Sequence, residues 1–317
     1  MNKMDRTRRI FPAITTIIII IALGIYLLKN RDAFISLVNI NPLYLFIIAV
    51  THLLFILVMA FLNIILLQKL DPNIGASEII HLQFVNNFLN KIILNGGIAF
   101  RAGHLKHRYN LSYSKFLASF AGLVVVNLAA QSLIGLSGMY LVYLRTGHYN
   151  LVVILGFISI ILGTLFIMII RPKTANHRSR FLREINKLVE GWKIVVRNPR
   201  DVIIFVIISF VAVFIQALNT FIVFVGINSP IGFPESLILS SLAGFVSYIN
   251  ITPDGLGARE GVYLYTNSIM SISEPMLVLG SLVQRALTFI ISALVGGFSY
   301  LILIRKPKAG NDKEDPH

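Results

Sequence analysis

Six stretches of the chain run almost without charge: residues 10–28, 43–68, 114–144, 151–170, 202–226 and 276–304. A helix needs about 20 mostly apolar residues to cross a hydrocarbon layer roughly 30 Å thick, so this pattern predicts six full-length membrane spans. The first holds five consecutive isoleucines, Ile17 to Ile21, and follows Arg6, Arg8 and Arg9. It is longer than a signal-peptide core and has no A-x-A-like cleavage site, so it reads as a retained signal anchor. Pro42 opens the second stretch at a favoured first helical position. Lys115 alone interrupts the third, and Arg171-Pro172 and Arg305-Lys306-Pro307 close two others.

Two further apolar segments are too short or too polar to cross alone. Residues 79–94 carry Asn86, Asn87, Asn90 and Lys91; residues 236–249 are rich in Ser and Gly. Each ends in a glycine-bearing polar break, Asn95-Gly96-Gly97 and Pro253-Asp254-Gly255. Short segments broken in this way point to re-entrant or discontinuous helices; a short tilted span is the competing reading. The predicted fold is therefore an all-α polytopic membrane protein, a single integral domain over 1–317.

Composition strengthens this reading. Hydrophobic residues make up 56% and charged residues 13% of 317, against about 25% charged in an average soluble domain. Such a chain is not disordered, and with no cysteine it is not a disulfide scaffold. The net charge is +14. Basic residues concentrate in the amino terminus, the loops after residues 68 and 100, the 171–200 linker and the tail. These all fall on one side if six spans cross and the two short segments return. By the positive-inside rule that side is cytoplasmic, with both termini inside a cell membrane. Within the linker, residues 175–197 place Phe181, Ile185, Leu188, Trp192 and Val196 at helical spacing among Arg and Lys. This predicts an amphipathic helix lying on anionic inner-leaflet lipid. A nucleic-acid partner is not expected, because the charge flanks membrane spans and no nucleic-acid motif accompanies it.

An internal repeat organises the rest. Asn95-Gly-Gly-Ile-Ala-Phe-Arg-Ala-Gly103 matches Pro253-Asp-Gly-Leu-Gly-Ala-Arg-Glu-Gly261, with Gly97, Arg101 and Gly103 aligned to Gly255, Arg259 and Gly261 at a constant offset of 158. Each motif follows a long span, a Pro-containing turn (Asp71 to Gly75, Asn228 to Gly232) and a short helix. Each precedes another long span. The repeats cover residues 42–144 and 201–305, joined by the 151–170 span and the basic linker, and they enter the membrane from opposite sides. Inverted repeats with broken helices at matching positions are the signature of a transporter whose site lies near the midplane.

The charges at that depth are Lys91, Arg259, Glu260 and Arg285, while Arg101 lies nearer the basic cytoplasmic loop. A lone charge there costs several kcal/mol, so each requires a partner, a polar cavity or a ligand. Gly255, Gly257 and Gly261 permit close approach of backbones and headgroups. A helix starting after Gly255 would present free N–H groups to a phosphate, and Arg259 could pair with that phosphate bidentately. Glu260 could pair with a cationic headgroup, with Arg285 or with Arg101. The bland alternative is that Arg259 and Glu260 merely lock the halves together and that Arg101 snorkels to the interface. His52, Asn63, Asn127, Gln131, Gln216, Asn219 and Gln284 also fall inside spans, where interhelical hydrogen bonding is the expected role. His104 and His107 lack a Cys or carboxylate cluster, so no metal is expected. No cofactor is expected either. No G-x-x-x-x-G-K-[ST], G-x-S-x-G or H-E-x-x-H motif is present, which argues against ATP hydrolysis and against the hydrolases those motifs mark.

The stretch Ile251-Thr-Pro-Asp-Gly-Leu-Gly-Ala-Arg-Glu-Gly261, followed by Arg285 and Gly296-Gly297, resembles the lysylphosphatidylglycerol synthase transmembrane-domain family. Gly97, Arg101, Leu105 and Leu111-Ser112 are similar to the weaker first motif of that family. The resemblance covers about residues 10–305. It implies the membrane part of the multiple peptide resistance factor proteins, regarded there as a flippase for aminoacylated phospholipid, here in a stand-alone form without the soluble synthase domain. It also implies substrate-binding roles for Gly97, Arg101, Gly255, Gly257, Arg259, Glu260 and Arg285, with no catalytic residue. One departure stands out: Leu123-Val-Val-Val-Asn127 carries no charge where the family often has an acidic–basic pair, which puts a lysyl-lipid substrate in doubt. The expected function is a lipid flippase taking a phospholipid or lipid-linked headgroup, flow following a gradient or a partner. The alternatives are an accessory subunit of a lipid-modifying enzyme and, by family name alone, a phosphatidylglycerol lysyltransferase.

Overall fold

A computed structural model describes residues 40–169, 199–249, 252–270 and 272–305. The described residues form helices and contain no strand. The predicted signal anchor at 10–28, the amphipathic helix at 175–197 and the tail after Arg305 lie outside them.

In chain order the helices are α1 (Pro42–Leu70), α2 (Ala76–Ile92), α3 (Gly96–Tyr109), α4 (Tyr113–Thr146), α5 (Leu151–Ile169), α6 (Pro199–Gly226), α7 (Phe233–Ile249), α8 (Ala258–Tyr265) and α9 (Glu274–Ile304). Local chemistry sets their ends. Asn41 Oδ1 accepts the Leu43 N–H and Pro42 takes the first position of α1, while Pro72 forces Asp71 into extended backbone and stops it. Ser112 caps α4, and Gly147 ends it at φ +72°, a left-handed conformation cheap only for glycine. Asn150 accepts from the Val152 and Val153 N–H groups to start α5.

Among the described residues, α1, α4, α6 and α9 are long and apolar enough to cross a membrane. α5 is also uncharged and mostly apolar, and its 19 residues extend roughly 28 Å at 1.5 Å per residue. The apolar surface is arranged for lipid. On α1 the exposed side chains Leu43, Phe46, Val50, Leu54, Leu57 and Phe61 recur every three or four residues, and Phe289, Ile290, Leu294, Phe298 and Leu301 do the same on α9. A soluble monomer rarely exposes patches of this size.

α2 and α7 are shorter, 17 residues each. α3 turns back along α2: Gly97 sits on Asn86 and Asn90, Arg101 reaches Gln83, and His104 reaches Glu78. The pair is a helical hairpin with its tip at Asn95, which adopts φ 56°. Its base returns beside the end of α1, where Leu105 and Leu111 pack on Leu67 and Ile74. In the second half α7, a short turn at Pro253–Gly255 and α8 form a corresponding hairpin, in which Gly255 packs on Val246. The chain after α8 returns to α7's start, where Ile269 and Met270 share a core with Ile227 and Ile231.

The two halves interlock reciprocally. α1 and α6 run antiparallel: Lys69 pairs with Asp201 at 2.5 Å at one end, and the Asn219 amide donates to the Ile48 carbonyl and Thr51 Oγ1 toward the other. α2 packs chiefly on α9 of the other half, and α7 on α4. Glycines 158 positions apart allow both contacts. A Cβ on Gly138 would meet the Pro234 carbonyl of α7 at 2.7 Å, and one on Gly296 would meet Phe88 Cβ of α2 at 2.4 Å. Close passage over small residues is how helices associate where lipid removes the hydrophobic drive between them.

Candidate functional site

Because the hairpins enter from opposite ends, their tips meet inside the bundle. Lys91, near the first tip, lies 3.4 Å from Asp254 Oδ2 in the second and donates to Thr288 Oγ1 at 3.1 Å. Asp254 stands at φ 54°, an orientation that Asp tolerates better than most residues. Its carboxylate is also 3.4 Å from Arg285 Nε, and its carbonyl accepts from Arg285 Nη2 at 3.1 Å. Arg285 extends this to Glu260 at 3.4 Å. A chain of two cations and two carboxylates thus ties both tips to α9.

Beside this chain lies a cavity of about 480 Å³. Its wall combines α1, both hairpins, α4, α6 and α9. His52, Asn63, Gln83, Asn86, Asn87, Asn90, Asn127, Gln131, Gln216, Asn219 and Gln284 give it an amide-rich lining, with Phe55, Met59, Phe120, Leu123 and Val124 as an apolar flank. Lys91, Arg101, Asp254 and Arg259 are its charged members. On the far side of the ion chain a second recess of about 400 Å³ shares Lys91 and Asp254 and is otherwise mostly apolar, with Ile92, Leu256, Leu282 and Phe289. The partly exposed Ile92 and Phe289 place that recess at the lipid-facing surface.

The two arginines of the repeated motif occupy equivalent places. Arg101 is 1% exposed. Its Nη1 donates to Asn63 Oδ1 at 2.7 Å and its Nη2 to Gln83 Oε1, while its Nε has no partner. Arg259 Nη2 donates to Gln284 Oε1 at 2.6 Å and to the Tyr263 hydroxyl at 3.4 Å, with the guanidinium 5.6 Å above the Tyr263 ring; its Nε is also unpaired. Among the described residues neither has a carboxylate within ion-pair distance. Arg101 does not snorkel: the turn back at Asn95 points it into the bundle rather than toward the interface.

The remaining expected residues sit elsewhere. Gly97 brings the α3 backbone onto α2, where a Cβ would fall 2.2 Å from the Asn86 carbonyl oxygen. Gly255 (φ +67°) and Gly257 (φ +82°) shape the second tip, and neither lines the cavity. At the helix start after Gly255 the Gly257 N–H is already taken: Glu260 Oε2 accepts it at 2.7 Å and caps α8 from within. Glu260, 3% exposed, also accepts from Ser281 Oγ at 2.7 Å, so of its three candidate partners it takes Arg285. Arg285 faces the apolar recess rather than the amide-lined cavity. Asn127 stands 158 positions before it, in the cavity wall, so the two halves share a frame but differ in charge at this position.

Lys91, Asp254, Asn63 and Gln83 were not among the expected site residues. Their signal in the sequence was a lysine and an aspartate at membrane depth and a recurrence of amides through several spans. Some of these polar groups bond between helices, as expected: Gln284 donates to Asn219 at 2.8 Å, and His52 lies 3.0 Å from Ser292; Asn127 instead donates to the Leu123 carbonyl of its own helix. The same side chains also line the cavity.

A helical bundle with lipid-facing apolar stripes and a polar, cation-bearing cavity at the meeting point of two hairpins is a polytopic membrane protein built around an internal polar site. The chain belongs to the lysylphosphatidylglycerol synthase TM region family, whose model matches residues 9–296. Membership places it among membrane proteins related to lipid modification or translocation. Searches of curated proteins and of solved structures give no match.

Proposed function

We propose that the protein is a lipid flippase-like transporter. The observation that carries this reading is the meeting of two oppositely entering hairpins around one amide-lined cavity, flanked by an apolar recess at the lipid-facing surface. In this reading α1–α4 and α6–α9 are inverted repeats, and α2–α3 and α7–α8 are re-entrant hairpins with their tips at the midplane. Irregular backbone at that depth is tolerated where it is buried in protein or lines a polar cavity. A headgroup would occupy the cavity while its acyl chains remain in the recess and the bilayer. The ion chain Lys91–Asp254–Arg285 would separate the two compartments and open to admit the headgroup. The end carrying Lys69, Lys106, Arg108, Lys115 and Arg305 would face the cytoplasm. Arg259 would hold the headgroup.

The test is reconstitution of the purified full chain into liposomes with a fluorescent phospholipid whose outer-leaflet fraction is quenched chemically. Wild type is expected to expose the inner-leaflet pool, and Arg259→Ala to lose at least about 90% of that rate, as for a charged contact removed from a buried site. No activity from folded wild type under any gradient overturns the transport reading and favours the accessory-subunit one. Full activity of folded Arg259→Ala removes that residue from the site.

A further inference from the structure

Resting on the transport reading, we propose that the cavity selects an anionic, hydroxyl-rich headgroup, a phosphate ester bearing a polyol or sugar, and rejects a cationic aminoacylated one. The cavity leaves cations without anions and amide oxygens without donors. Among the described residues its cations are Lys91, Arg101 and Arg259, and its one carboxylate is Asp254. Asp254 already serves both Lys91 and Arg285, and Glu260, behind the wall, is taken by Arg285, Ser281 and the Gly257 N–H. His52 is held against Ser292. An ammonium group entering the cavity would meet three cations and no available carboxylate.

Arg101 and Arg259, by contrast, have neutral partners among the described residues, and each keeps a buried Nε without an acceptor. Amide oxygens satisfy geometry but not charge, and a guanidinium buried on such terms is costly until an anion arrives. Phosphate supplies that charge in a shape that matches the guanidinium fork. The complementary vacancies are acceptors: Asn86 Oδ1 and Gln131 Oε1 are buried in the same wall with no donor. A hydroxyl donates to such an oxygen and accepts from a neighbouring amide N–H₂. Two arginines needing charged acceptors and two amide oxygens needing donors together describe a phosphopolyol.

Native mass spectrometry of the detergent-solubilised full chain tests this without requiring transport. The probes are phosphatidylglycerol, phosphatidylcholine, lysyl-phosphatidylglycerol and water-soluble glycerol phosphate. Phosphatidylglycerol is expected to occupy the protein at least about tenfold more than the lysyl lipid or phosphatidylcholine, with glycerol phosphate displacing it at high concentration. Arg101→Gln and Arg259→Gln are each expected to cut that occupancy about tenfold, the loss of one charged hydrogen bond. Lys106→Ala, which removes an exposed cation, leaves it unchanged. Should a glutamine variant not fold, Arg→Lys at the same position is read instead, with a several-fold loss expected because the fork is gone. Equal or tighter binding of the lysyl lipid overturns the proposal, as does binding indifferent to both arginines. Glycerol phosphate bound in preference to any lipid overturns the lipid source. Selective binding with no lipid transfer in liposomes sinks the transport reading and leaves the headgroup assignment standing.

Discussion

Glycines of the repeated motif divide by what surrounds them. Gly97 lies against the backbone of Asn86, which cannot move aside, whereas Gly103, in the same helix, has no atom within 4 Å of where a Cβ would stand. Gly97→Ala is therefore expected to cost roughly 1–3 kcal/mol by overpacking. Gly103→Ala should gain up to about 1 kcal/mol from helix propensity. Thermal unfolding of the solubilised protein reads both, and a Gly97→Ala variant as stable as wild type would contradict the hairpin contact. The motif's spacing drew attention to both glycines equally. Only the packing distinguishes one that allows close approach from one that does not. Arg259 was legible as a charge at unusual depth and Arg101 only as its repeat partner near the loop; for Arg101 the choice between snorkelling and facing inward required the turn at Asn95.

At the scale of elements, the hairpin tips are held by charges that no local pattern could pair. Lys91 and Asp254 are 163 positions apart, and they meet because α2 packs on α9 and the second tip packs on α2. Asp254 serves two cations and Lys91 only one carboxylate, so Asp254→Asn should lower the melting temperature more than Lys91→Met does. Removing one partner of a buried ion pair leaves the other uncompensated; here Asp254→Asn strips Lys91 of its carboxylate and takes one of two from Arg285, which keeps Glu260. Equal shifts for the two variants in a thermal-shift assay would show that Arg285 does not depend on Asp254. Helix positions themselves were well marked by hydrophobic runs, with ends displaced by a few residues: α4 runs to Thr146 rather than residue 144, because Gly147 is the first position that favours a left-handed stop. The short segments were recognisable as unusual from their length, from the amides of the first and from the Ser and Gly of the second. That they fold back as hairpins depends on contacts between Gly97 and Asn86 and between Gly255 and Val246.

For the whole molecule, the charge asymmetry makes a topological prediction. Lys106 lies on α3 at the end rich in cations, and His148 lies in the loop between α4 and α5 at the other. With no native cysteine, Lys106→Cys and His148→Cys each carry the only thiol. A membrane-impermeant maleimide applied to intact cells should label position 148 and not 106, and lysed cells should label both. Labelling of position 106 from outside would reverse the orientation. The sequence by itself determined the all-helical membrane character, the apolar helices and the repeated motif, because hydrophobic run length and spacing act locally along the chain. Only the tertiary structure decided which charges pair, which arginines remain without a carboxylate and which amides face a shared cavity. Those depend on antiparallel packing between halves about 158 residues apart in sequence, where the identity of a neighbour is set by the fold rather than by the chain.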